Sequence, residues 1–121
     1  MQPKPLAALL IGARRDAQYG PLVTIAMGGT EVELYRDVAI RAAPIEPAEV
    51  EAMCLQLELA PLLLGYRGRP SVDLDAIADI TVRVGACLLA HQNLLEIELN
   101  PVFFYSDRGV AIDATAYFSD V

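Results

Sequence analysis

Leu94-Leu95-Glu96-Ile97-Glu98-Leu99-Asn100-Pro101 alternates polar and apolar residues, and Ile112-Asp113 follows on what reads as the returning arm of a hairpin. In an extended chain the period of two puts Glu96, Glu98 and Asn100 on one face and Leu95, Ile97 and Leu99 on the other. Pro101 biases Asn100 toward β or polyproline geometry. Ser106-Asp107-Arg108-Gly109 supplies a turn, and with Asp107 and Arg108 as a two-residue loop, residues 102–105 pair antiparallel with 110–113. Asp113 then faces Val102 and lies diagonal to Asn100, about 7–8 Å away at the backbone, so both side chains can reach one ion. Only carboxylate and amide oxygens are offered, with no His or Cys nearby, so the ion that suits them is a hard cation. A solvated acidic face produces the same pattern, and spacing alone leaves the two undecided.

Upstream, residues 6–15 form an apolar run ending in charge, Tyr19-Gly20-Pro21 is a turn, and residues 22–27 form a second run ending at Gly28-Gly29. Two strands joined as a hairpin fit this order. Glu31, Glu33 and Tyr35 alternate with Val32 and Leu34. After Arg36-Asp37, Val38, Ile40 and Ala42 alternate with Ala39 and Arg41, which brings the first sheet segment to three or four strands.

From Pro47 the period changes to that of a helix, with Val50, Met53, Cys54 and Leu57 on one side and Glu46, Glu49 and Glu51 near the positive end of its dipole. A short apolar piece, residues 59–64, stops at Gly65. The loop Gly65-Tyr66-Arg67-Gly68-Arg69-Pro70 is the only concentrated basic feature in the sequence. Ser71 is placed to cap the next helix, whose stripe is Leu74, Ile77, Ile80, Val84 and Leu88, with Asp75, Asp79 and Arg83 on its solvent side. Strands, then helices, then strands indicate an α+β or mixed α/β fold: a largely antiparallel sheet with two main helices on one face. The other face carries the polar row and could line a cleft.

The 121 residues suit one domain, 1–121, with no linker long enough to divide it. Apolar residues make up 55% of the chain, and such an excess on a small domain suggests a face that docks on another subunit or domain. The net charge of −7 argues against electrostatic binding to nucleic acid or an anionic membrane. There is one lysine, Lys4, beside eight arginines, and no Walker-type loop, so the chain can hold only part of a nucleotide site. No apolar stretch has the ~18 residues of a membrane span. Cys54 and Cys87 fall on helical patterns with no partner at metal-ligand spacing, which suits buried free thiols in a cytoplasmic protein. His91, the only histidine, reads as a surface or capping residue.

With these motifs in place, the sequence resembles the C-terminal part of an ATP-grasp domain of the NDP-forming acyl-CoA synthetase group. Four segments carry the resemblance, in the group's order: the strand and turn from Leu10 through Asp16 to Pro21, Gly28-Gly29-Thr30-Glu31-Val32-Glu33, Gly65 to Pro70, and Glu98-Leu99-Asn100-Pro101 with Asp113. The resemblance implies Asn100 and Asp113 as magnesium ligands beside the phosphates of ATP or ADP. It implies Glu98 as the acidic catalytic residue near which a phosphorylated histidine from another domain docks. Gly28 and Gly29 would let backbone approach the nucleotide, although a plain tight turn explains them equally. Arg67 and Arg69 would contact phosphate or a partner acid, unless they pair with surface carboxylates. Where the group has a glutamate, this chain has Ala8. The implied partners are an N-terminal ATP-grasp subdomain that carries the nucleotide-binding lysines and a CoA-binding subunit or domain, and the isolated chain is expected to be inactive. The competing expectation is a noncatalytic interaction domain that keeps the ATP-grasp scaffold and forms homo-oligomers through its apolar face.

Overall fold

The computed structural model describes residues 4–27, 37–58 and 60–120. Its elements are β1 (Ala7–Asp16), β2 (Gly20–Met27), β3 (Val38–Ala42), α1 (Pro47–Gln56), α2 (Ala60–Leu64), α3 (Leu74–Ala90), β4 (Leu94–Phe104), β5 (Gly109–Ala111) and β6 (Ala114–Phe118), with a single 3-10 turn at Tyr66–Gly68. The α+β class expected from the sequence is the one observed. The sheet runs β3-β2-β1-β4-β5, β6 continues the β5 edge along β4, and every pairing is antiparallel.

Strand alternation divides the sheet into a core face and a helix-free face. Leu9, Ile11 and Ala13 of β1 and Val23 and Ile25 of β2 are buried under α3, whose Ile77, Val84 and Leu88 are buried against them. Gly85 allows this approach: a Cβ there would stand 3.1 Å from Val23 Cγ2. The stripe differs from expectation, because Thr81 and Gly85 are buried while Leu74 and Ile80 are only half-buried. Thr81 is tolerated inside because its hydroxyl donates to the Ile77 carbonyl at 2.7 Å. Asp79 and Arg83 pair at 3.1 Å on the solvent side, as their spacing predicted.

Local signals set the ends of the helices. Pro47 opens α1, and the Glu46 N–H donates to the Glu49 carboxylate at 3.3 Å. The cap of α3 is not Ser71. Asp73 takes that place, accepting from the Ala76 N–H at 3.0 Å, while the Ser71 hydroxyl donates to the Leu63 and Val72 carbonyls. Gly65 ends α2 at φ +95, where a Cβ would also lie 2.6 Å from the Arg69 carbonyl oxygen, so only glycine fits. His91 forms the C-cap of α3 and is exposed, in agreement with the sequence reading.

Two expectations about β4 are corrected. Leu95 does not face the core; it is 45% exposed, and Leu94, 2% exposed, takes its place. An irregularity in the pairing with β6 between Leu94 and Glu96 shifts the alternation there. The β4–β5 loop is also one residue nearer the N-terminus than Asp107-Arg108, which shifts each pairing by two. Phe104 pairs with Gly109, the Tyr105 N–H donates to the Arg108 carbonyl at 2.8 Å, and Val102 pairs with Ala111 rather than with Asp113. A shift of two keeps every residue on its face and moves Asp113 along the strand.

Candidate functional site

The shifted register brings Asp113 directly opposite Asn100. The Asn100 N–H donates to the Asp113 carbonyl at 3.0 Å, and the Ile112 N–H donates to the Pro101 carbonyl at 2.9 Å. The two residues that sequence placed on a diagonal are therefore backbone neighbours. On its other side β4 breaks register at the same place: Leu9 pairs with Val102 but Ile11 with Leu99, so β4 takes an extra step through Asn100-Pro101. The Asn100-Pro101 peptide is cis. Asn100 and Asp113 are both exposed and Glu98 is half-buried.

The donor set is one amide and one carboxylate, with a second carboxylate two residues away. The Asp113 Oδ1 accepts from the Ala114 N–H at 2.9 Å, which fixes the carboxylate against its own strand and leaves Oδ2 for another partner. Among the described residues no group of three or more His, Cys, Asp or Glu converges to hold a metal. One amide and one carboxylate oxygen are the donors that an ion with few protein ligands, its remaining positions filled by water or phosphate, would need.

Glu98 lies on the helix-free face, paired with Gly12 of β1 on one side and Thr115 of β6 on the other. Gly12 in turn pairs with Thr24, and Arg14 pairs with Leu22 and with Glu96. The Arg14 Nη1 donates to Thr24 Oγ1 at 3.4 Å. Nothing in the sequence singles out Gly12, Arg14 or Thr24 for the site, because only the β1–β2 and β1–β4 registers bring them together near Glu98. Arg67 and Arg69 are exposed in the loop after α2, where Arg67 has φ 54. Gly28 and Gly29, and the alternation from Glu31 to Tyr35, lie outside the described residues.

This chain belongs to the ATP-grasp domain family, which matches residues 1–116. Within it, the relatives include ADP-forming acetate–CoA ligases. The chain is 40% identical over 106 residues to the β subunit of acetate–CoA ligase (ADP-forming) I of Pyrococcus furiosus, covering 88% of this chain and 46% of that protein. It is 39% identical over 105 residues to acetate–CoA ligase (ADP-forming) I of Archaeoglobus fulgidus, covering 87% of this chain and 15% of that protein. The fold superposes with a TM-score of 0.90 and 36% identity on the dinucleotide-forming acetyl-coenzyme A synthetase 1 of Candidatus Korarchaeum cryptofilum, covering 98% of this chain and 55% of that one. That structure is in complex with coenzyme A and Mg-AMPPCP, with its phosphohistidine segment pointing towards the nucleotide binding site. The chain thus spans about half or less of the length of these relatives.

Proposed function

We propose that residues 1–121 are the C-terminal half of an ATP-grasp domain in an NDP-forming acyl-CoA synthetase, forming the wall that holds a magnesium nucleotide during phosphoryl transfer between the nucleotide and a histidine. The observation that carries this reading is the direct backbone pairing of Asn100 with Asp113, two residues from Glu98. Asn100 and Asp113 hold the ion. Magnesium, when bound, neutralises charge on the phosphoryl oxygens. Glu98 faces the segment that carries the histidine and orients its imidazole. The nucleotide-binding lysines and the CoA site belong to an N-terminal ATP-grasp subdomain and a CoA-binding subunit or domain, so the isolated chain is inactive. Gly28, Gly29, Arg67 and Arg69 are assigned to the nucleotide side of the site. Free thiols at Cys54 and Cys87 suit a reducing cytoplasm, and no helix among the described residues is long and apolar enough to cross a membrane.

The ion site is tested with manganese as a paramagnetic substitute. In proton–nitrogen correlation spectra of the chain, the amides of 98–100 and 112–114 broaden first, and Asn100→Ala or Asp113→Ala abolishes the effect. Broadening centred on Asp75 and Asp79 instead would sink the assignment.

A second reading rests on the exposed apolar side chains of the β5–β6 edge. Ile112 is 53% exposed, Tyr117 57% and Phe118 54%, which makes this edge a candidate for pairing between copies of the chain in a noncatalytic or oligomeric role.

A further inference from the structure

Gly12 is buried in the middle of the helix-free face, where a Cβ would stand 3.1 Å from the Ile97 carbonyl oxygen, and three polar side chains surround it. Glu98 is its partner on β4, where a Cβ on Gly12 would stand 3.8 Å from the Glu98 Cβ. Thr24 is its partner on β2. Arg14 lies two residues along β1, on the same face, and reaches Thr24 with its Nη1 at 3.4 Å. Its direct neighbour across β4 is Glu96, yet among the described residues no ion pair joins the two. The guanidinium has five N–H donors and commits one of them, at long range, to Thr24. By register, Arg14 is also the one cation that the described strands place on this face.

An anion brought to this face meets the carboxylates of Glu96 and Glu98, and both repel it. It can be seated there only beside a cation, and a guanidinium presents paired donors that match two oxygens of a phosphoryl group. We propose that Arg14, steadied by Thr24 beside Gly12, receives the phosphoryl oxygens of the incoming histidine segment next to Glu98. Arg14 makes and breaks no bond; it fixes where the anion sits relative to Glu98. This inference rests on the role proposed above for Glu98, Asn100 and Asp113, and adds the group that recognises the partner's charge.

The probe is inorganic phosphate, titrated in metal-free buffer at constant ionic strength into the full chain and followed by proton–nitrogen correlation spectra. Phosphate is expected to move the Gly12, Arg14 and Thr24 amides. Arg14→Gln weakens the response at least about tenfold, and Arg14→Lys keeps part of it. The Asn100→Ala variant retains this response while losing manganese broadening, so the two sites fail separately. If Arg14→Gln titrates like the original chain, or if phosphate moves only the amides of the 67–69 loop, the assignment is overturned. The dispersion of the Arg14→Gln spectrum verifies that the variant is folded.

Discussion

Cys54 is buried on the inner side of α1, with 3% of its surface exposed, whereas Cys87 on α3 is half-buried. Burial, together with the charge of Glu51, pushes the Cys54 thiol up to about 11 from its ordinary 9.0. Between those values the unfolded chain releases this proton while the native chain keeps it, so stability falls as pH rises through that window. The expected loss is ~2 kcal/mol, read as the difference between urea melts at about pH 8 and about pH 10.5, and Cys54→Ala removes that part of the loss. Gly109 is constrained by space. A Cβ there would lie 2.5 Å from Cε1 and 2.8 Å from Cδ1 of the fully buried Phe104 ring. The ring has nowhere to retreat, so Gly109→Ala is expected to cost ~1–3 kcal/mol and to lower the melting temperature in calorimetry.

Between elements, Arg15 fastens the end of α3 to the sheet. Its Nε donates to the Leu94 carbonyl at 2.8 Å, and its Nη2 donates to the carbonyls of Leu88 at 2.5 Å and His91 at 2.9 Å. Leu88 and His91 stand at the negative end of the helix dipole, where their carbonyls also accept the His91 and Leu94 N–H groups, so one planar cation adds hydrogen bonds there and answers the dipole. Arg15→Ala should lower stability by ~2–3 kcal/mol in denaturant titrations. Arg15→Lys should recover only part of it, because an ammonium lacks the planar fork. The sequence showed Arg15 only as a charge at the end of an apolar run. Asp16, next to it, was equally opaque: its carboxylate accepts the N–H groups of Gln18 and Tyr19, which shapes the β1–β2 turn and holds its pKa below the usual range.

At the scale of the whole molecule, the helix-free face presents Glu96, Glu98 and Arg14, flanked by Val38 and Ile40 at 40% exposure each. A half-site of this kind predicts weak binding. Calorimetry of magnesium-ADP against the isolated chain should show an affinity no tighter than millimolar, and tighter binding would contradict the need for a second half. The alternative oligomeric role predicts a dimer or larger species in sedimentation, at ionic strength high enough to screen a net charge of −7. A strictly monomeric chain would remove that reading.

What could be read from the sequence alone follows from local geometry. Apolar runs broken at Tyr19-Gly20-Pro21 identified β1 and β2, period-two alternation identified β3 and β4, the change of period at Pro47 identified the helices, and Glu98, Asn100 and Asp113 lay close enough in the chain for one hairpin to bring them together. The loop was placed one residue too far along, an error that shifted each pairing by two, left the faces intact and turned a direct pair into a diagonal one. Tertiary structure alone decided that Leu94 rather than Leu95 is inside, that Asp73 rather than Ser71 caps α3, that Arg15 closes the helix, and that Glu98, Thr24 and Arg14 gather around Gly12. Those outcomes depend on the pairing of β1 with β4 and on the irregularities in that strand, and such registers are set by how the core packs across distant parts of the chain. Backbone periodicity is a property of neighbouring residues; which strand lies beside Glu98, and in what register, is a property of the folded sheet.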